Sequence, residues 1–273
     1  MRSSNRVTPV SMIATSHPAE AFEPEVSAAQ SRATLAKVAL SLTVLVRAYN
    51  IPVRLWQSGL LHAIEAGNPA DQSVLESSDA LVSFGAFAEL GVLLLTGVLF
   101  LRWLHKLVLA TRALGGDTLS FSAREAVTGF VIPLINFMRP YQIVRDVHDT
   151  LAPDRVPEPP VQVRADEMRG YRDVSITPPP APAKLPHASI GAWWGFFWVG
   201  NLLANFASRQ HPDTVSGLLF ANTFNNVGDV VDIVSASLAV LVVRSVTARL
   251  TERYRRVRHN SPEALQAAGV AIG

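Results

Sequence analysis

Cysteine is absent from this chain of 273 residues. That removes disulfides, cysteine-ligated zinc, iron–sulfur clusters and thiol catalysis together. Charge is scarce as well: 17% of residues are charged, where about 25% is usual for a soluble domain. Neither sign dominates, and a net charge of +2 gives no reason to expect nucleic-acid binding. P-loop, dinucleotide, HExxH and GxSxG motifs are all missing. The first residues hold Arg2 and Arg6 but no apolar core of secretory type, so no cleavable signal peptide is expected. Their Ser, Pro and Glu content predicts a disordered tail over 1–30.

Apolar residues make up 49% of the chain, with a mean hydropathy of +0.23, and they are bunched into bilayer-length runs. Residues 188–208 carry no formal charge, and Trp193, Trp194 and Trp198 near one end suggest an aromatic interfacial belt. A second run, 80–101, is interrupted only by Glu89, and a third, 222–243, by its Asn residues, Asp229 and Asp232. A fourth, 38–58, carries Arg47, Asn50, Pro52 and Arg54. The stretch 126–138 is too short to cross a core of about 30 Å as a helix, and Pro133 breaks its backbone ladder. It reads as a re-entrant or interfacial segment. Half of the 18 prolines fall in 152–187, an extended linker containing a PxxPxK pattern at 179–184. A basic tail closes the chain over 251–273.

The fold class expected is therefore all-α and integral to a membrane, with four transmembrane helices inside a membrane domain of 31–250. Of the 24 Lys and Arg residues, 21 fall on the N-terminal flank, on 102–187 or on the C-terminal flank, whereas 65–79 has four acids and no base. Four spans place all three basic regions on one side; five would export the basic tail. The positive-inside rule then predicts a multi-pass protein of the cell membrane with both termini cytoplasmic.

Arg47, Asn50 and Arg54 share one helical face at i, i+3 and i+7, and Asp229 and Asp232 share another at i and i+3. Glu89 lies close to mid-depth of its run. Each charge left alone at mid-membrane costs about 2.5–3.5 kcal/mol on insertion scales. Pairing removes that cost, so Arg47 is expected to face Glu89 or the two aspartates. The alternative is that Arg54 reaches outward and the aspartates meet only Asn225 and Asn226.

No catalytic, cofactor or metal site emerges. Asp146, His148 and Asp149 suggest a metal corner, but i and i+2 do not share a helical face, so an amphipathic turn is expected. Gly228-Asp229 invites comparison with intramembrane aspartyl proteases, yet both aspartates lie on one helix. Trp103, between Arg102 and Lys106, is expected to anchor an interface.

The blocks FLRWLHKLVLATRALGG (100–116), FVIPLINFMRPYQIVRDVHDT (130–150), WW (193–194) and DVVDIVSASLAVLVVRSVTARL (229–250) resemble a bacterial family of polytopic membrane proteins, domain of unknown function 4328. The matching positions are Phe100, Leu101, Trp103, Pro133, Asn136, Arg139, Pro140, Asp146, Trp193, Trp194, Asp229, Asp232, Arg244 and Thr247. The resemblance implies a membrane architecture and no chemistry. The leading functional expectation is a non-enzymatic scaffold, sensory or assembly module, embedded in the bilayer, whose linker and tail meet protein partners. The alternative is a small transporter or channel using its intramembrane charges.

Overall fold

The computed structural model describes residues 22–68, 70–115, 119–131, 138–152, 187–209 and 214–259. Among them every regular element is a helix: α1 (Glu23–Glu65), α2 (Gln72–Ala113), α3 (Ala123–Val131), α4 (Arg139–Thr150), α5 (His187–Ser208) and α6 (Val215–His259).

Local chemistry sets the ends. Pro24 sits in the first turn of α1, where its missing N–H costs nothing. Ser122 and Glu125 form a capping box at α3: Glu125 N donates to Ser122 Oγ, and Ser122 N donates to the Glu125 carboxylate. Thr214 Oγ1 accepts from Gly217 N at the start of α6. Both α1 and α2 run out into a glycine with positive φ, Gly67 (83°) and Gly115 (77°), a backbone region that favours glycine.

The long helices alternate in direction. Thr43 meets Thr96, and Asn50 meets Glu89, so α2 runs antiparallel to α1. Gln30 meets Thr251 at one end, and Ser58 meets Asn222 at the other, so α6 is antiparallel to α1 as well. Ser235 bonds to the Trp193 carbonyl, and Phe206 packs on Phe220, which sets α5 antiparallel to α6. Small residues let α1 approach its neighbours: Ala29, Ala33 and Ala36 are buried along one stripe. Outward faces are apolar instead, with Leu45, Phe84, Phe87, Leu94 and Leu202 each more than half exposed. A patch of that extent suits a hydrocarbon medium.

Three helices, α1, α2 and α6, are long and apolar enough to cross a membrane. The run 188–208 forms the 22-residue α5 but is not one of these three. Its tryptophans and asparagines lower its mean hydropathy.

Two tail boundaries need correction. The tail expected over 1–30 is helical from Glu23, because Val26 and Ala29 continue the buried stripe of α1. The tail expected over 251–273 is helical to His259, since Thr251 and Arg253 pack back on the bundle. Of the 126–138 segment, 126–131 belong to α3, while 132–137, with Pro133 and Asn136, lie outside the described residues. So do 1–21, 260–273 and most of the Pro-rich linker.

The tryptophans are also corrected. Trp103 is fully buried, and Trp193 and Trp194 are 5% and 6% exposed. They form one aromatic core with Phe100 and Phe130, ring centroids 5.2–5.9 Å apart. Arg102 and Lys106, four apart, take a different helical face from Trp103. Their nearness in sequence therefore said nothing about its direction.

Candidate functional site

Residues from three helices converge at the centre of the bundle. Arg47 of α1 places Nη1 2.5 Å from Glu89 Oε1 of α2 and 2.9 Å from Asp229 Oδ1 of α6, and Nη2 2.9 Å from Asp232 Oδ2. Two turns along α1, Arg54 pairs with the other oxygen of Asp229 and lies 3.5 Å from Glu89 Oε2. Asn50, between them on the same stripe, donates to Glu89 Oε2 at 3.1 Å. The six residues read as a group from the sequence thus meet in one place. Each arginine bridges Glu89 and Asp229, closing a ring, and Asp232 hangs from Arg47 alone among the described residues.

The site is dry enough for these bonds to matter. The Asp229 side chain is fully buried, both arginine side chains are about one-seventh exposed, and Asn50 is buried. Arg54 turns inward to Asp229, so the outward-reaching alternative does not hold. Pro52 leaves α1 continuous here. The same face goes on as a polar stripe: Asn222 donates to Gln57 (3.0 Å) and Ser58 (3.3 Å).

Two glycines make the room. A Cβ at Gly85 would lie 2.3 Å from Asn50 Oδ1, and one at Gly200 would lie 2.0 Å from Asp232 Oδ1 and 2.9 Å from its Cγ. Gly200 brings α5, which contributes no charge, against the cluster. Nothing in the run 188–208 singled this glycine out, because the contact depends on the register of α5 against α6.

A second polar layer at the far end of the bundle was not anticipated. Arg253, on α6, donates to the carbonyls of Leu114 and Gly115 at the end of α2, and of Thr150 at the end of α4. Arg249 donates to the His148 carbonyl at 2.8 Å. These cations meet the negative ends of two helix dipoles and satisfy their last carbonyls. Burial lowers the pKa of Arg253, though arginine remains protonated in proteins. Asp146 accepts from Ser120 N at 2.9 Å, tying the α2–α3 loop to α4. Glu125 is held below the usual carboxylate range, first by the Ser122 backbone N–H and then by its side chain. Pro140 is buried in the first turn of α4.

The arrangement contains no nucleophile beside a base and, among the described residues, no cluster of metal ligands. What it provides is ion pairing across three helices inside an apolar bundle. Fold and site together define a protein that is all-α among the described residues, with an ion-pair cluster joining three helices long and apolar enough to cross a membrane. The chain belongs to the family of domain of unknown function 4328 (DUF4328), which matches residues 67–248. That stretch includes Glu89, Asp229 and Asp232 but not the α1 residues that pair with them. No curated protein and no solved structure matches the chain.

Proposed function

We propose that the protein is a non-enzymatic membrane module, a scaffold, sensory or assembly partner with four spans and both termini cytoplasmic. The observation that carries this reading is the closed ion-pair ring, in which each arginine already bridges carboxylates on two other helices. Transport needs charges free to exchange partners with water or cargo. Here they hold α1, α2 and α6 together, leaving the cytoplasmic linker and tail to meet partner proteins.

The helix directions support the four spans. α1, α2 and α6 are each long enough to cross, and α2 and α6 run the same way. The chain must therefore return between them. α5, at 22 residues and about 33 Å, has the length and direction for that return. The tie between Ser120 and Asp146 brings the chain before α3 beside the end of α4, which supports a 126–138 segment that enters and leaves on one face.

A transporter or channel is the second reading, favoured by one observation: three carboxylates face two guanidiniums, so the cluster needs one more proton or cation to be neutral. Reconstituting the full chain in liposomes under a proton or cation gradient separates the two. The expected result is no flux above protein-free vesicles, together with discrete partners crosslinked to the linker in native membranes. Flux abolished by Asp232→Asn would overturn the scaffold in favour of transport.

A further inference from the structure

At the end of the bundle that carries the buried arginine caps, a cleft of about 270 Å³ opens between α1, α2 and α3, lined by Arg32, Leu101, Arg102, His105, Lys106 and Val127. Three of its six lining residues are fixed cations and none is an acid. Arg102 and Lys106 stand at i and i+4, where like charges repel, and Arg32 adds a third positive charge from the facing helix. None of the three has an ion pair among the described residues. The wall is built rather than loose, since His105 Nδ1 donates to the Ala123 carbonyl at 3.1 Å and fixes α3 against α2. An open, largely apolar cleft bordered by uncompensated positive charge suits an amphiphile with an anionic head.

Its depth says which one. In the four-span reading, on which this inference rests, Arg102 directly follows the 80–101 span and Arg32 precedes the 38–58 span by six residues. Lys106 lies five residues beyond Leu101, so all three sit within about 10 Å of the hydrocarbon core, at headgroup level on the cytoplasmic side. Leu101 and Val127 offer the apolar surface that a glycerol and the first acyl carbons require. We infer that this cleft binds the phosphate of an anionic phospholipid of the cytoplasmic leaflet. Guanidiniums take phosphate oxygens as a fork, and basic pockets between membrane helices suit such headgroups.

The test uses the full chain in nanodiscs of phosphatidylcholine with a minor fraction of phosphatidylglycerol, reading protein-bound lipid by native mass spectrometry. Wild type should retain phosphatidylglycerol in preference. Arg32→Gln/Arg102→Gln/Lys106→Gln should lower that preference on the order of a hundredfold, from three cations at the surface. Arg145→Gln/Arg244→Gln/Arg255→Gln, with the same loss of charge elsewhere at this end, should keep it. Equal retention of both lipids by wild type would overturn the site, as would equal losses in the two triple variants. Inorganic phosphate displacing the lipid at comparable concentration would assign the cleft to a free anion and overturn the lipid. Arg102→Gln alone, at an exposed position, should give a partial loss and guards against a triple variant that misfolds. Failure to enter phosphatidylcholine discs at all would count against the membrane reading itself, whereas entry without lipid preference counts only against the cleft.

Discussion

At Gly200 a missing side chain decides whether the charge cluster can close. Any Cβ there meets the Asp232 carboxylate at 2.0 Å, and Asp232 cannot withdraw without leaving Arg47. Gly200→Ala should therefore destabilise the protein by about 1–3 kcal/mol, the range for an overpacked interior. In an Asp232→Ala background the same change should cost almost nothing, because the two residues act through one contact. Gly97→Ala, where nothing lies within 4 Å, should be neutral or slightly stabilising through helix propensity. Thermal melts in detergent would check all three, and equal shifts at Gly97 and Gly200 would refute the argument. Arg47→Ala tests the ring itself. It leaves three carboxylates facing only Arg54, at about 3–5 kcal/mol for an uncompensated buried charge. Adding Glu89→Ala or Asp232→Asn should restore part of the membrane accumulation lost, whereas strictly additive losses would show that the charges are uncoupled. The cluster was legible in the sequence because helical spacing fixes which residues of one helix share a face. The glycines were not, because a contact between helices depends on register, which no single segment encodes.

α6 acts at both ends as well as the middle. Its Arg253 ends two other helices, a role usually left to local caps. Arg253→Ala would leave the carbonyls of Leu114, Gly115 and Thr150 without that donor, for a loss of about 3 kcal/mol. Hydrogen exchange should quicken around 112–115 and 148–152 and stay unchanged around Asn50. Lys at this position should recover less than half of the loss, having charge but no planar fork. Arg244→Ala, an exposed neighbour, should leave exchange as it was. Uniform quickening along the whole chain would show a global rather than a capping effect. From sequence, this basic stretch reads as a cytoplasmic tail because Arg253 has no local partner. Its acceptors lie more than a hundred residues away, brought there only by the folding of α2 and α4. Trp103 shows the converse error. Its charged sequence neighbours pointed to an interface, while its own face, shared with Phe100 and Leu107, points into the core.

For the whole molecule, the alternation of α1, α2, α5 and α6 ties sidedness to packing. Gln30 meets Thr251 at 2.8 Å, so the start of α1 and the end of α6 share one end of the bundle. The short connection between Gly67 and Gln72 belongs to the other end. Charge follows the same division: the end with Gln30 and Thr251 carries Arg32, Arg102, Lys106 and the arginines of α6, whereas Glu65, Asp71, Glu76 and Asp79 mark the opposite end. Packing thus gathers at one end the basic segments that the positive-inside rule assigns to the cytoplasm in the proposed orientation. Single cysteines can report on it, since the chain has none of its own. With an impermeant maleimide on intact cells, Asn68→Cys should label at once, while Gly170→Cys and Asn260→Cys should label only after permeabilisation. On the proposed re-entrant path of 126–138, cysteines introduced at 120 and 150 should agree with each other. Opposite sidedness at 120 and 150 would make that segment a span. A fifth crossing would then have to reconcile an exported Asn260 with a Gln30–Thr251 contact that keeps both helix ends together. The two demands are incompatible while the start of α1 stays cytoplasmic, so rapid labelling at 260 with protection at Phe22→Cys would overturn the packing of α1 against α6, whereas rapid labelling at both would overturn the orientation alone.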